Sequence, residues 1–246
     1  GGSVTEAGLA GGSDAGNGNA YTGNLSLQPG WTAQAASGTT ANGTYTVNAD
    51  GTYTFTLTSA TTDVAGQAET NSFTYTAKDA NGNSVTNTVT VTIVDDTPVA
   101  VNDSGNVTEG ATLSVTAAAG VLSNDKAGAD GWNASGAVVG VSNSSSVQGT
   151  ASATGFTIVG QYGTLTLNKD GSYSYTANAN AVSKAEADVF TYTVKDSDGD
   201  EKTATLTINV ADVTGTPVTT TGGSVTEAGL AGGSDAGNGN AYTGNL

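Results

Sequence analysis

The segment VFTYTVKDSDGDEKTATLTINV, residues 189–210, decides the fold. Apolar and Thr positions alternate through TATLTINV, the period-two pattern of a strand with one buried and one wet face. TVTVTIV (residues 88–94) and GTLTL (residues 163–167) read the same way. The first twelve letters have a counterpart upstream: SFTYTAKDANGN, residues 72–83, matches VFTYTVKDSDGD, residues 189–200. A second pair, NADGTYTFTL from Asn48 and NKDGSYSYTA from Asn168, carries the turn triplets ADG and KDG that mark hairpins. Tyr53, Tyr173 and Tyr175 follow them and supply bulk to a core poor in Leu and Phe. The chain is therefore read as all-β, two copies of one sandwich fold, with at most one helical turn near residues 182–186.

A stricter repeat overlays this one. Residues 1–25 recur letter for letter at 222–246. The offset of 221 residues is too long for a solenoid unit of ~20 to 50 residues and suits two sandwiches of ~100 residues each. Expected domains are 1–97 and 98–213, with 214–246 a linker and the incomplete start of the next unit. Pro98 and Pro217 interrupt the strand pattern at these seams. The terminal copy is expected to be extended, poorly packed or swapped onto a neighbouring molecule. The opening residues GGSVTE lack the basic and apolar stretches of a signal peptide, so the chain reads as an internal piece of a tandem array.

Composition narrows the chemistry. Of 246 residues, 22 are acidic and 6 basic, giving a formal charge of -16 with no His, Cys or Met. No imidazole or thiolate is present for a nucleophile relay or an ordinary zinc site, so any bound metal should be hard. All six cations are Lys, and the net field repels nucleic acid and anionic lipid. The absence of Cys fits a secreted protein that manages without disulfides, and no apolar run approaches the ~20 residues of a membrane helix.

Placing the acids on a seven-strand sandwich sorts them by pole. The lower pole of domain 1 would hold Glu6, Asp63 or Glu69, Asp95 and Asp96. The upper pole of domain 2 would hold Asp103, Asp125, Asp130, Asp196, Asp198 and Asp200. Both sets face one junction, where carboxylates within a Debye length of ~8 to 10 Å repel unless neutralised. Hard oxygen donors in that number match calcium, which takes ~6 to 8. Gly199 lets the D-x-D-G-D turn aim alternate carboxylates at one ion. In domain 1 Asn81 and Asn83 replace two of those acids, which makes that pole a poorer site. The second linker has only Asp212, so that junction is expected to bind calcium weakly or not at all, although Glu109, Glu186 and Asp188 at the lower pole of domain 2 could build a smaller site with it. Ordinary turn chemistry and solubility account for Asp-Gly loops equally well without a metal.

These residues resemble a family: the cadherin-like, immunoglobulin-like extender repeats of giant RTX-type adhesins that Gram-negative type I systems secrete. In domain 2 the likeness is carried by VND (Val101), VTEG (Val107), GVLSND (Gly120), YGTLTLNKDGSYSYTA (Tyr162), FTYTVKDSDGD (Phe190) and TATLTINVAD (Thr203). In domain 1 VTEAGL (Val4), NADGTYTFTL (Asn48) and FTYTAKDANGN (Phe73) are similar. The resemblance implies a monomeric, calcium-stiffened spacer on a bacterial surface, used in biofilm formation or attachment. Its partners would be neighbouring repeats of the same chain, with neither nucleic acid nor membrane insertion, and with anchor and tip elsewhere in the parent. By analogy with cadherins, Glu6, Asp95, Asp96, Asp103, Asp125 and Asp196 would share the ions. The linker VDDTPVAVND departs from cadherins in Pro98 and its apolar middle.

Three rival readings remain. A carbohydrate-binding repeat could use Trp31 or Trp132 as a stacking platform, and Thr ladders could face ice. A glycosidase would need a carboxylate pair in an aromatic cleft, which the linker and loop positions of these acids do not supply. Six Lys residues make a covalent cross-link from Lys to Asn or Asp arithmetically possible, but Lys78 and Lys195 stand beside turn acids where a solvated charge is the simpler account.

Overall fold

The structure is a computed structural model that describes residues 1–62 and 67–213. Asp63 and the repeated segment 222–246 lie outside the described residues, as does Pro217. Within residues 1–212, one compact unit, the strands form two β-sandwiches in tandem.

The first sandwich packs two four-stranded sheets. One has β1 (Ser3–Thr5), β8 (Ser84–Val94), β7 (Thr70–Asp79) and β3 (Trp31–Ala33) in that order. The other has β2 (Ala20–Asn24), β6 (Thr52–Leu57), β5 (Gly43–Val47) and β4 (Ala36–Thr39). The second sandwich joins β11 (Val138–Asn143), β16 (Glu186–Lys195), β17 (Glu201–Ala211) and β9 (Asp103–Thr108) in one sheet. Its other sheet runs β10 (Thr112–Val115), β15 (Tyr173–Ala177), β14 (Gly163–Asn168), β13 (Gly155–Val159) and β12 (Thr150–Ala151). Both sandwiches exceed the expected seven strands, because short strands such as β2 and β12 extend the sheets. The expected turn near residue 182 is a bend; the helical turns among the described residues are 3-10, at Glu6–Gly8 and Ala117–Ala119.

Alternation translates directly into burial. In β6 the sequence TYTFTL buries Tyr53, Phe55 and Leu57 and leaves the Thr positions part-exposed. Tyr45 stacks on Phe73 at 4.3 Å, and Tyr53 meets the same ring edge-on at 5.6 Å. In the second core Tyr175, Phe190, Tyr192 and Leu206 are fully buried. Aromatic area thus does the work that Leu and Phe do in richer cores.

The two matching hairpins close by the same chemistry. Asp50 Oδ1 accepts hydrogen bonds from Thr52 N and Oγ1, and Asp170 Oδ1 from Ser172 N and Oγ. Those donors hold both carboxyls below the usual Asp range. Gly51 and Gly171 adopt φ of +89° and +83°, which a side chain would resist.

One buried acid is wholly structural. Asp188 accepts hydrogen bonds from Gln161 N, Tyr162 N and Tyr175 Oη. Tyr175→Phe removes one of three donors from a buried carboxylate, and a hydrogen bond to a charged group is worth about 1.5–3 kcal/mol. Urea denaturation of the variant should show that loss with an unchanged slope.

Candidate metal centre

Where the two sandwiches meet, the last strand of the first and the loops of the second bring carboxylates together. The 3-10 turn after β1 turns Glu6 inward, and the residue is fully buried. Its Oε1 accepts from Thr61 N at 2.6 Å and Thr61 Oγ1 at 2.7 Å, while Oε2 has no partner. Thr61 Oγ1 also lies 2.5 Å from Glu69 Oε2, so one hydroxyl proton serves two carboxylates. Asp95 follows β8 directly, with Oδ1 buried and unpartnered.

The second sandwich supplies the rest. Asp196 is fully buried; its Oδ1 accepts from Gly199 N at 2.9 Å and Asp200 N at 2.7 Å, and its Oδ2 accepts nothing. Asp130 is tied to that turn through its backbone, since Ser197 Oγ donates to its carbonyl and Trp132 bridges to Asp196. Asp130 Oδ2 and Asp198 Oδ1 are likewise buried without a partner. Oxygens of Glu6, Asp95 and Asp130 all lie within 4.8 Å of one another, although Glu6 and Asp95 come from one sandwich and Asp130 from the other.

The electrostatics follow from that crowding. Burial, then Asp200, then Glu6 push the Asp95 carboxyl up to about 7. Burial, followed by Asp198, Glu6 and Asp196, pushes Asp130 up to about 7. Burial with Asp196, then Asp95 and Asp200, does the same for Asp198. Among the described residues the ion pairs are Lys184–Glu186 and Lys195–Glu201, and neither reaches these acids. Six carboxylates thus interact with no protein cation to neutralise them, and a buried charge of that kind requires a counter-ion or protons. The donor set is all hard oxygen, which fits a calcium-type cation.

The first sandwich provides an internal control. Trp31 pairs with Asp79 as Trp132 pairs with Asp196, which aligns Pro29-Gly30-Trp31 with Asp130-Gly131-Trp132. Pro29 therefore stands in the place of Asp130. Asp79 Oδ1 accepts from Asn81 N and Asn83 N, and Oδ2 accepts from Asn83 Nδ2 at 2.7 Å. Those bonds, Asn83 first, lower its pKa, and both oxygens have protein partners. In the second sandwich Asp200 occupies the position of Asn83, has no amide to give, and leaves Asp196 Oδ2 open.

The remaining candidates lie elsewhere or are otherwise engaged. Asp96 has both oxygens filled, by Ser13 Oγ, Ser13 N and Ala129 N. Asp103 and Asp125 gather at the Tyr192 hydroxyl, at 2.9 and 3.1 Å, and Asp125 also accepts from Val101 N. Burial raises both carboxyls. Glu109 and Asp212 sit at the opposite pole of the second sandwich, in the register positions of Glu6 and Asp95. Glu109 Oε2 accepts from Val182 N, and Glu186 pairs with Lys184. Trp132 packs on the second core and borders an open groove with Asn168 and Asp170.

A sign for pH dependence follows. An unfolded Asp titrates near ~3.9, so a folded value of about 7 means the native state holds extra protons between those limits. The stabilisation is complete below the unfolded value and is lost as pH rises through about 7. Asp50, Asp79 and Asp170, with lowered values, act only at more acid pH. In EDTA the calorimetric midpoint should therefore fall from pH 5 to pH 8, and millimolar calcium should abolish the fall; a flat profile in EDTA would contradict the burial of these acids.

Residues 4–92 match the family of bacterial Ig domains, and residues 95–215 match the family of bacterial cadherin-like domains. No curated protein matches the chain. Among solved structures it is similar to Drosophila N-cadherin EC1-4, with 11% identity and a TM-score of 0.32 over 73% of this chain and 40% of that one. Mouse protocadherin-24 EC1-3 gives 15% identity and a TM-score of 0.30 over 74% and 59%. A Bacteroides ovatus SGBP-B in complex with a mixed-linkage heptasaccharide gives 13% and 0.23 over 85% and 42%. The chain thus spans less than two thirds of each of these chains. No helix among the described residues is long and apolar enough to cross a membrane. Each of the two family matches covers one of the two sandwiches.

Proposed function

We propose that this chain is an extender module of a bacterial surface adhesin of the RTX type, a non-enzymatic spacer whose first interdomain joint is stiffened by calcium. The observation that carries the reading is the pair of fully buried, unpartnered carboxylate oxygens, Glu6 Oε2 and Asp196 Oδ2, contributed by different sandwiches to one cluster. Glu6, Asp95, Asp130, Asp196, Asp198 and Asp200 would hold the cation, with Glu69 next to Glu6 through Thr61. When bound, the ion neutralises their mutual repulsion and ties the two sandwiches at a fixed angle. The exact recurrence of residues 1–25 supports a tandem array, in which neighbouring repeats are the partners and the module acts as a monomer. Cadherin-like and Ig domains of bacteria are commonly extracellular, which supports display at the cell surface, in biofilm formation or attachment.

Calcium titration tests this. Binding to the native state alone stabilises it by about 2.7 kcal/mol at a hundredfold excess over Kd. Small-angle scattering in calcium should show a narrower range of shapes than in EDTA, with a higher melting midpoint. Glu6→Gln should weaken calcium binding by more than about tenfold, since it removes a buried anionic ligand. Identical scattering and melting in both buffers would refute the joint.

A further inference from the structure

Asp96 adjoins Asp95 in sequence, is 5% exposed, and yet offers the cluster no free oxygen. Its Oδ2 accepts from Ser13 N at 2.8 Å and from Ala129 N at 3.0 Å, and its Oδ1 accepts from Ser13 Oγ. Ser13 belongs to the glycine-rich loop of the first sandwich, Ala129 to a loop of the second. One carboxylate of the linker therefore clasps both bodies at once. The clasp has a steric counterpart in Gly128, whose φ is +84°. A Cβ there would come within 2.2 Å of the Asp96 carbonyl oxygen, so the loop can approach the linker only with glycine. Val99 and Lys126 add two backbone hydrogen bonds beside it, and Lys126 Nζ reaches Ser13 O at 3.5 Å. Ala129 itself packs against the first core.

The placement has a chemical consequence. Asp96 is one residue from Asp95, and Ala129 one residue from Asp130. Asp95 and Asp130 are the candidate ligands that approach from opposite sandwiches. We infer that Asp96 is a positioning residue: with Ser13 and Gly128 it forms a cation-independent clasp that sets the separation of Asp95 and Asp130 before any ion arrives. The clasp holds the joint against carboxylate repulsion when calcium is absent, and lowers the cost of ordering the joint when it binds. Its effect on calcium affinity rests on the calcium reading above; its effect on the metal-free joint does not.

The conservative variant separates this role from direct ligation. In Asp96→Asn the amide Oδ1 can still accept from Ser13 N and Ala129 N, and Nδ2 can donate to Ser13 Oγ, which a hydroxyl oxygen accepts. All three bonds survive without the charge. Asp96→Ala removes them, and Gly128→Ala pries the loop from the linker while leaving Asp96 intact. Because the chain has no Cys, Thr86→Cys and Val159→Cys give a unique spin-label pair across the joint, both exposed.

In EDTA the distance distribution should be narrow for the parent and Asp96→Asn, and markedly broader for Asp96→Ala and Gly128→Ala. Calcium should narrow the broadened distributions. By calorimetric titration with calcium chloride, Asp96→Ala and Gly128→Ala should bind about tenfold more weakly, as expected when only about a tenth of the molecules hold the ligands in place. Asp96→Asn should stay near the parent. Distributions in EDTA that are the same for all four proteins would overturn the clasp. An Asp96→Asn as impaired in calcium binding as Asp96→Ala would overturn the positioning role and make Asp96 a ligand. If the parent itself binds no calcium, the calcium reading falls, while the EDTA distributions still decide the clasp.

Discussion

Two folded bodies share one set of unneutralised carboxylates, and most of what distinguishes this chain follows from that constraint. Glu6 of the first sandwich and Asp196 of the second are both fully buried, each with an oxygen that has no partner. Burial makes the charges expensive, and their mutual repulsion adds to the expense. The junction is thus a place where a cation or protons must complete the structure. Its stability is a property of the surrounding solution as much as of the chain.

Two neighbouring linker residues divide the work. Asp95 leaves an oxygen without a partner, whereas Asp96 fills both oxygens with protein donors from the two sandwiches. The same division appears between the two sandwiches. A turn with Asn83 satisfies its own leading carboxylate; a turn with Asp200 in that position does not. The presence or absence of one amide hydrogen determines whether the turn is self-contained or open to a ligand.

Strands and hairpins were legible because period two and the Asp-Gly turns are local signals, and Thr88 to Val94 reads as a strand in any context. The gathering of Glu6, Asp95, Asp130, Asp196, Asp198 and Asp200 was also within reach, since strand order alone sends those loops to one junction. The finer sorting was not. Asp95 and Asp96 are indistinguishable as letters, and only backbone direction separates them. Asp103 and Asp125 are drawn to the hydroxyl of Tyr192, a core residue whose reach no spacing reveals. Ser13 lies in a glycine-rich stretch without periodicity, so nothing marked it as a contact of the linker. One signal was available and unused: aligning Pro29-Gly30-Trp31 with Asp130-Gly131-Trp132 singles out Asp130 as an acid without a counterpart.

The first and last strands of each sandwich run parallel and side by side, β1 along β8 and β9 along β17. Tension applied through the two ends of such a body pulls these neighbours lengthwise in opposite senses. Every rung between them is then loaded together instead of being opened one at a time. The second sandwich has six paired positions in this clamp and the first has three. Under a steady pull the first sandwich should therefore yield before the second, lengthening as a shock absorber while the other keeps its fold.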